Sequence, residues 1–175
     1  MMRLFIAILP DEQLRQRLIR LQDEMKERGI RGRFTDPFNL HMTLAFIGEY
    51  GDPDAIMDIL EETDFEPEPL KLQRMEPMRD LIICRLEDNA ELMTYVKRIR
   101  RALGDHHIPF DRKHFFPHIT MARRAYGLNE AGIDLEDVWM NVSGVSLMKS
   151  EHGRHGMVYT EIGRIDFVED EEEML

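Results

Sequence analysis

Four side chains in this sequence are matched in type and spacing for acid–base chemistry. His41 and Thr43 stand in Asn39-Leu40-His41-Met42-Thr43-Leu44-Ala45-Phe46. His118 and Thr120 stand in Phe116-Pro117-His118-Ile119-Thr120-Met121-Ala122-Arg123. Both copies read His, apolar, Thr, apolar, and both lie in β-compatible runs, so each is expected on a strand. Residues i and i+2 of a strand share a face, which places each imidazole beside a hydroxyl. An imidazole titrates near pH ~6.5 and serves as acid or base. Two such pairs suit proton transfer around an anionic group. A single His on a strand is more often structural; the matched duplication points to catalysis. A metal reading of His106, His107, His114 and His118 is opposed by Phe115-Phe116-Pro117, which breaks the helical spacing a shared ligand face would need, so no metal is expected.

The elements that must hold these pairs are legible in outline. Residues 3–9 read as a first strand. Asp11 opens a helix with Leu14, Leu18, Leu21 and Met25 on its apolar face, closed by Gly29. Residues 31–34 form a short strand, and residues 40–47 carry the first pair, with Met42, Leu44 and Phe46 assigned to the core by alternation. Asp52-Pro53 starts a second helix. Residues 70–75 and 81–86 form two strands around a Pro77 turn. Asp88-Asn89 caps a third helix, whose apolar face is Leu92, Val96, Ile99 and Leu103. Residues 128–137 form a short helix or irregular loop. Residues 138–149 and 157–167 then form two strands joined by a polar loop over 150–156. Strands alternating with helices, and a motif repeated across the middle, imply a duplicated α+β fold. It has two antiparallel-type sheets with flanking helices, facing each other across a central cleft. The expected organisation is one domain, 1–175, of two pseudo-symmetric lobes carrying the motifs at 41–44 and 118–121. An acidic tail at 168–175 is a solvated end.

The chain has 175 residues and 43% hydrophobic content, enough for a sizeable core without disulfides or metals. Its single cysteine, Cys84, fits a reducing compartment. The opening apolar run ends in Pro10-Asp11-Glu12 without a small-residue cleavage site, and no stretch reaches membrane-spanning length, so the expected location is cytoplasmic. Net charge is −11, but residues 49–70 and 166–175 hold fifteen acids and no Lys or Arg. The rest is therefore net positive, with Arg112, Lys113, Arg123 and Arg124 near the second motif. That distribution fits a phosphate-bearing substrate and not a protein gripping long duplexes. Arg123 falls on the wrong face of its strand by strict alternation, so contact with a phosphate needs a bulge. Lys149, Arg154 and Tyr159 are further candidate substrate contacts. Phe5 reads as core, with base stacking as its other role.

These residues resemble the two-histidine phosphoesterase superfamily, and most closely its LigT-like branch, the RNA 2′,3′-cyclic phosphodiesterases also described as 2′-5′ RNA ligases. Arg3-Leu4-Phe5-Ile6-Ala7-Ile8 resembles the opening strand of that family, and the two His-x-Thr segments resemble its two signatures. Val145-Ser146-Leu147-Met148-Lys149-Ser150 with Gly156-Met157-Val158-Tyr159 resembles its closing hairpin. The resemblance implies a bilobal fold and metal-independent, cofactor-free opening of a 2′,3′-cyclic phosphate to a 2′-phosphomonoester. It makes His41 the proton donor to O3′, His118 the base activating water, and Thr43 and Thr120 donors to the phosphate oxygens. Implied partners are RNA ends or nucleotides bearing the cyclic phosphate, tRNA fragments among them, with the protein acting as a monomer. The alternatives are ligation by the same site run backwards, or a nucleotide- or RNA-binding module without turnover.

Overall fold

The computed structural model describes residues 1–128, 133 and 135–167. The elements in order are β1 (Met2–Ile8), α1 (Glu12–Glu27), β2 (Arg31–Phe34), a single 3-10 turn (Pro37–Asn39), β3 (Met42–Tyr50), α2 (Pro53–Glu62), β4 (Leu70–Met78), β5 (Leu81–Leu86), α3 (Ala90–Asp105), β6 (His118–Tyr126), β7 (Trp139–Met140), β8 (Gly144–Gly153) and β9 (Gly156–Asp166). Each helix begins where a short polar side chain satisfies a free backbone N–H. The Asp11 carboxylate accepts from Leu14 N at 2.7 Å, Asp52 from Ala55 N at 3.2 Å, and Asn89 Oδ1 from Leu92 N at 2.9 Å. The apolar stripes expected on α1 and α3 are buried, with Tyr95 added to the second.

Two antiparallel sheets result, ordered β3-β1-β8-β9 and β2-β6-β5-β4-β7. They contain the same unit twice. β1–α1–β3 and β5–α3–β6 each place a motif strand antiparallel beside the strand that precedes its helix, and each helix has 16 residues. The chain also exchanges segments between sheets. β2, from the first half, pairs with β6, and β8 and β9 from the end of the chain complete the first sheet beside β1. Gly32 permits the β2 crossing, because a Cβ there would lie 2.8 Å from the Ala125 backbone. One continuous core joins the inner faces of both sheets to the helices. A small second cluster, Phe5, Ala7 and Met148, lies on the opposite face of the first sheet.

Several expected boundaries move. Pro77 is inside β4, paired opposite Ile82, and the turn is at Arg79-Asp80, with Arg79 at φ 55°. β7 flanks β4 only at Leu70 and Lys71, so Pro77 lies where that strand is a sheet edge and its missing N–H costs no ladder bond. The expected strand over 138–149 is two strands in different sheets, separated at Asn141-Val142-Ser143. The expected loop over 150–156 is mostly strand, and only Arg154-His155 turns between β8 and β9. Among residues 128–137, the described ones form no helix; the rest, like the expected tail at 168–175, lie outside the described residues.

The largest departure from simple alternation lies in the motif strands. In β3, Thr43 pairs with Ala7 and Ala45 with Ile6, so Leu44 is an extra residue. In β6, Thr120 pairs with Ile83 and Ala122 with Ile82, so Met121 is extra. These are matching β-bulges. In each, two successive residues (Leu44-Ala45 and Met121-Ala122) are buried, and the side-chain parity flips beyond them. Phe46 therefore turns from its expected core position to the cleft face, where it packs with the Phe5 cluster.

Both bulge carbonyls are held by a helix from the other repeat. Arg100 of α3 donates from Nε and Nη2 to Leu44 O at 3.2 and 3.0 Å, and from Nη1 to Lys113 O at 2.6 Å. Gln22 of α1, itself buried, donates to Met121 O at 3.2 Å and Thr35 O at 2.9 Å. Each motif strand is thus braced across the molecule.

Candidate active site

His41 sits just before β3 and His118 at the start of β6, and both are partly buried. Their rings are fixed by the same device. Nδ1–H of His41 donates to Asn39 O at 2.6 Å, and Nδ1–H of His118 donates to Phe116 O at 2.9 Å, each a carbonyl two residues back. That bond selects the tautomer and leaves Nε2 for chemistry. Nε2 of His41 lies 2.9 Å from Thr43 Oγ1. Asn39 is tied to β9 by Nδ2 donating to Met157 O at 2.9 Å. Thr35 Oγ1, just past the end of β2, donates to Thr120 O at 2.9 Å and fixes the second pair.

All four side chains line one cleft of about 510 Å³, together with Arg123 and Tyr159. Arg123 reaches it because the Met121 bulge supplies the parity change that contact requires. Tyr159 meets the His41 ring edge-on at 5.3 Å between centroids, and Phe5 lies 4.9 Å from the same ring. Phe5 is both packed and a wall of the cleft. Lys149 does not reach the site. Its neighbours Met148 and Ser150 face the cleft, so Lys149 points to the other side, where its ammonium pairs with Glu151. Arg154 is exposed at the hairpin turn, and the cleft contact comes instead from His152.

Sequence reasoning missed Arg3, Phe46, Ser150, His152 and Met157 as lining residues. Arg3, Ser150 and His152 follow from strand parity once β1 and β8 are known to be neighbours, a pairing of distant segments. A second chamber of about 320 Å³ opens from the cleft past His41, Thr120 and Arg123, between Arg33, Phe34 and the β8–β9 turn. Among the described residues, no three His, Cys, Asp or Glu side chains cluster to hold a metal. No described helix is long and apolar enough to cross a membrane.

The two imidazoles differ electrostatically. His41 is lowered to about 4, first by burial, then by the nearby Arg123 and His118 charges, against the opposing bond to Asn39. His118 is also lowered, by burial and by the Arg85 guanidinium, with its bond to Phe116 opposing. Both are neutral near pH 7 in the protein alone.

A family model described as "LigT like Phosphoesterase" matches residues 8–77, the span holding the first motif. The RNA 2′,3′-cyclic phosphodiesterase of Methanothermobacter thermautotrophicus is 27% identical over 91% of this chain and 96% of its own. That of Thermotoga maritima is 27% identical over 71% of each. The crystal structure of E. coli LigT in apo form superposes with a TM-score of 0.82 at 22% identity, covering 96% of this chain and 98% of that one. E. coli LigT complexed with 3′-AMP superposes with a TM-score of 0.79 at 23% identity, again covering 96% and 98%. These two structures establish the fold over both motifs, including the half the family model does not reach. With both His-x-Thr pairs in one cleft of that fold, the chain is similar to the LigT-like phosphoesterases in fold over nearly its whole length and in sequence over its first motif.

Proposed function

We propose that the protein is an RNA 2′,3′-cyclic phosphodiesterase that opens a terminal 2′,3′-cyclic phosphate to a 2′-phosphomonoester. The observation that carries this reading is the convergence of two tautomer-fixed histidines and two threonines on one cleft. The named activity of the relatives agrees with it. His118 Nε2 takes the proton of the attacking water as its oxygen bonds to phosphorus. His41 donates its Nε2 proton to O3′ as the P–O3′ bond breaks. Thr43 and Thr120 hydroxyls donate to the non-bridging oxygens, where charge accumulates. Arg123, lining both chambers, neutralises the phosphate.

A proton donor lowered to about 4 is unprotonated at neutral pH until substrate arrives. A phosphodiester anion about 4 Å away, at an effective dielectric near 20, favours the imidazolium by about 4 kcal/mol, or roughly three pH units. That lets the His41 imidazolium persist to about neutral pH in the complex. The substrate's own charge thus arms the acid.

The chamber beyond Arg123 leaves room for a nucleotide adjoining the reacting one, which supports RNA ends over isolated mononucleotides. Every residue in the scheme comes from one chain, which supports a protein that acts as a monomer. We read the two sheets as two lobes of one domain, because the site needs both. The buried free thiol of Cys84 supports a cytoplasmic setting.

The test is the pH dependence of both kinetic parameters. kcat/KM reports the free protein and should be bell-shaped, with both limbs below pH ~6.5; kcat reports the complex and should peak at higher pH. Coincident profiles would refute arming by substrate.

A further inference from the structure

The two histidines share a hydrogen-bond device but not their surroundings. Phe116 stacks on His118, with centroids 4.4 Å apart and planes at 24°. The Phe116 ring also carries the Arg85 guanidinium, 4.5 Å from the ring centroid. Arg85 stands directly opposite His118 in the β5–β6 ladder, so the two side chains share a face. Glu76 of β4 grips the guanidinium with both oxygens, Arg85 Nε to Oε2 at 2.7 Å and Nη2 to Oε1 at 3.2 Å. A planar fork held this way cannot rotate off the ring it covers. The ring against His41 is Phe5, and its other neighbour is the uncharged Tyr159.

We propose that Glu76, Arg85 and Phe116 form a positioning stack for His118: Phe116 fixes the imidazole plane, Arg85 favours its neutral, proton-accepting form, and Glu76 sets how strongly that cation is felt. The other charges facing His118 are common to the cleft. Arg123 lies on its own strand, Arg3 on β1, His41 before β3 and His152 on β8. None of these is stacked through its ring. Arg85 does not line the cleft, so it stays in place when a phosphate binds there. The stack therefore gives His118 a cation held over its stacking ring, which the ring against His41 lacks in an otherwise similar sequence context. This rests on reading His118 as the base.

Two substitutions should move His118 in opposite directions. Arg85→Met removes the cation and leaves Glu76 paired with Arg74 alone, at 3.2 Å, which stabilises the imidazolium. Glu76→Gln removes the anion that grips Arg85 and leaves Asp88 as its remaining nearby acid, which destabilises it. For a partly exposed, screened ion pair the expected shift is about half a pH unit in each direction. The experiment is an NMR titration of the His118 imidazole in wild type, Arg85→Met, Arg85→Lys, Glu76→Gln and Phe116→Leu, with kcat and KM measured against pH. Expected are a higher midpoint in Arg85→Met, a lower one in Glu76→Gln, and partial return in Arg85→Lys. The limb of kcat/KM assigned to the base should move with them. Phe116→Leu should lower kcat about tenfold with little change in KM. Midpoints unchanged in both charge variants, or shifted in the same direction, would overturn the proposal and leave a surface ion pair. If wild type turns over no cyclic phosphate, the functional reading fails, and the titration still decides the stack.

Discussion

His41 and His118 present the same edge to the cleft, yet their environments separate them. His41 is the more strongly lowered, and its value of about 4 has a consequence for stability. Unfolded, the imidazole titrates near pH ~6.5, so between about 4 and 6.5 the unfolded chain binds the extra proton. Stability from this group is full above pH ~6.5 and falls as pH drops through that window, by up to about 3 kcal/mol. Urea unfolding at pH 7.5 and 4.5 should show a smaller loss in His41→Leu than in wild type; an equal loss would place the acid sensitivity elsewhere. The threonines belong to the same scale. Thr43→Val and Thr120→Val should each cost about 10- to 1,000-fold in kcat by removing a donor to the developing charge, and a change confined to KM would reassign them to ground-state binding. That His41, Thr43, His118 and Thr120 share a cleft was legible because His and Thr two apart share a face, and each bulge falls beyond its pair. Arg123 and Phe46 were not, because their facing depends on bulges at Met121 and Leu44 that leave no mark in the apolar pattern. Lys149 was misplaced for the plainer reason that one face of β8 belongs to the core and the other to the cleft.

Those bulges are the central devices at the scale of elements. Each frees one carbonyl from its ladder, and each carbonyl is taken by a buried or half-buried side chain from the opposite repeat. Arg100→Met would leave Leu44 O without its guanidinium and also lose the Lys113 bond. The expected cost is about 2–3 kcal/mol by denaturant unfolding, with kcat reduced. Gln22→Leu should cost less, about 1–2 kcal/mol, since Thr35 N also donates to Met121 O at 3.0 Å. If either variant unfolds like wild type, the cross-bracing carries no weight. Helix starts were readable from Asp11, Asp52 and Asn89, whose caps depend on local chain alone. The β8–β9 hairpin was under-read because Glu151, His152 and Gly153 look like loop by composition. They are held extended by partners on β9, a tertiary override of local preference.

At the scale of the whole molecule, the repeated units meet across one cleft, and segments exchanged between the sheets knit them together. Duplication was visible in the motifs, whereas the exchange of β2 and β8 was not, since nothing local tells a strand which sheet it will join. The cleft lining contributes few cations, chiefly Arg3 and Arg123, on a protein of net charge −11. Contact with about two phosphates gives a log–log salt slope of KM near 1.4 in magnitude. A much steeper slope between 50 and 200 mM salt would mean a basic tract elsewhere grips the RNA.

Two-histidine hydrolysis without a metal is tested by incubating the protein, in EDTA, with a short RNA ending in a 2′,3′-cyclic phosphate and resolving 2′- from 3′-phosphate ends. His41→Ala and His118→Ala are assayed alongside. Wild type is expected to give a 2′-phosphate, and each variant to lose at least about 10²-fold in rate. A 3′-phosphate product, full activity in either variant, or no product from wild type would contradict that reading.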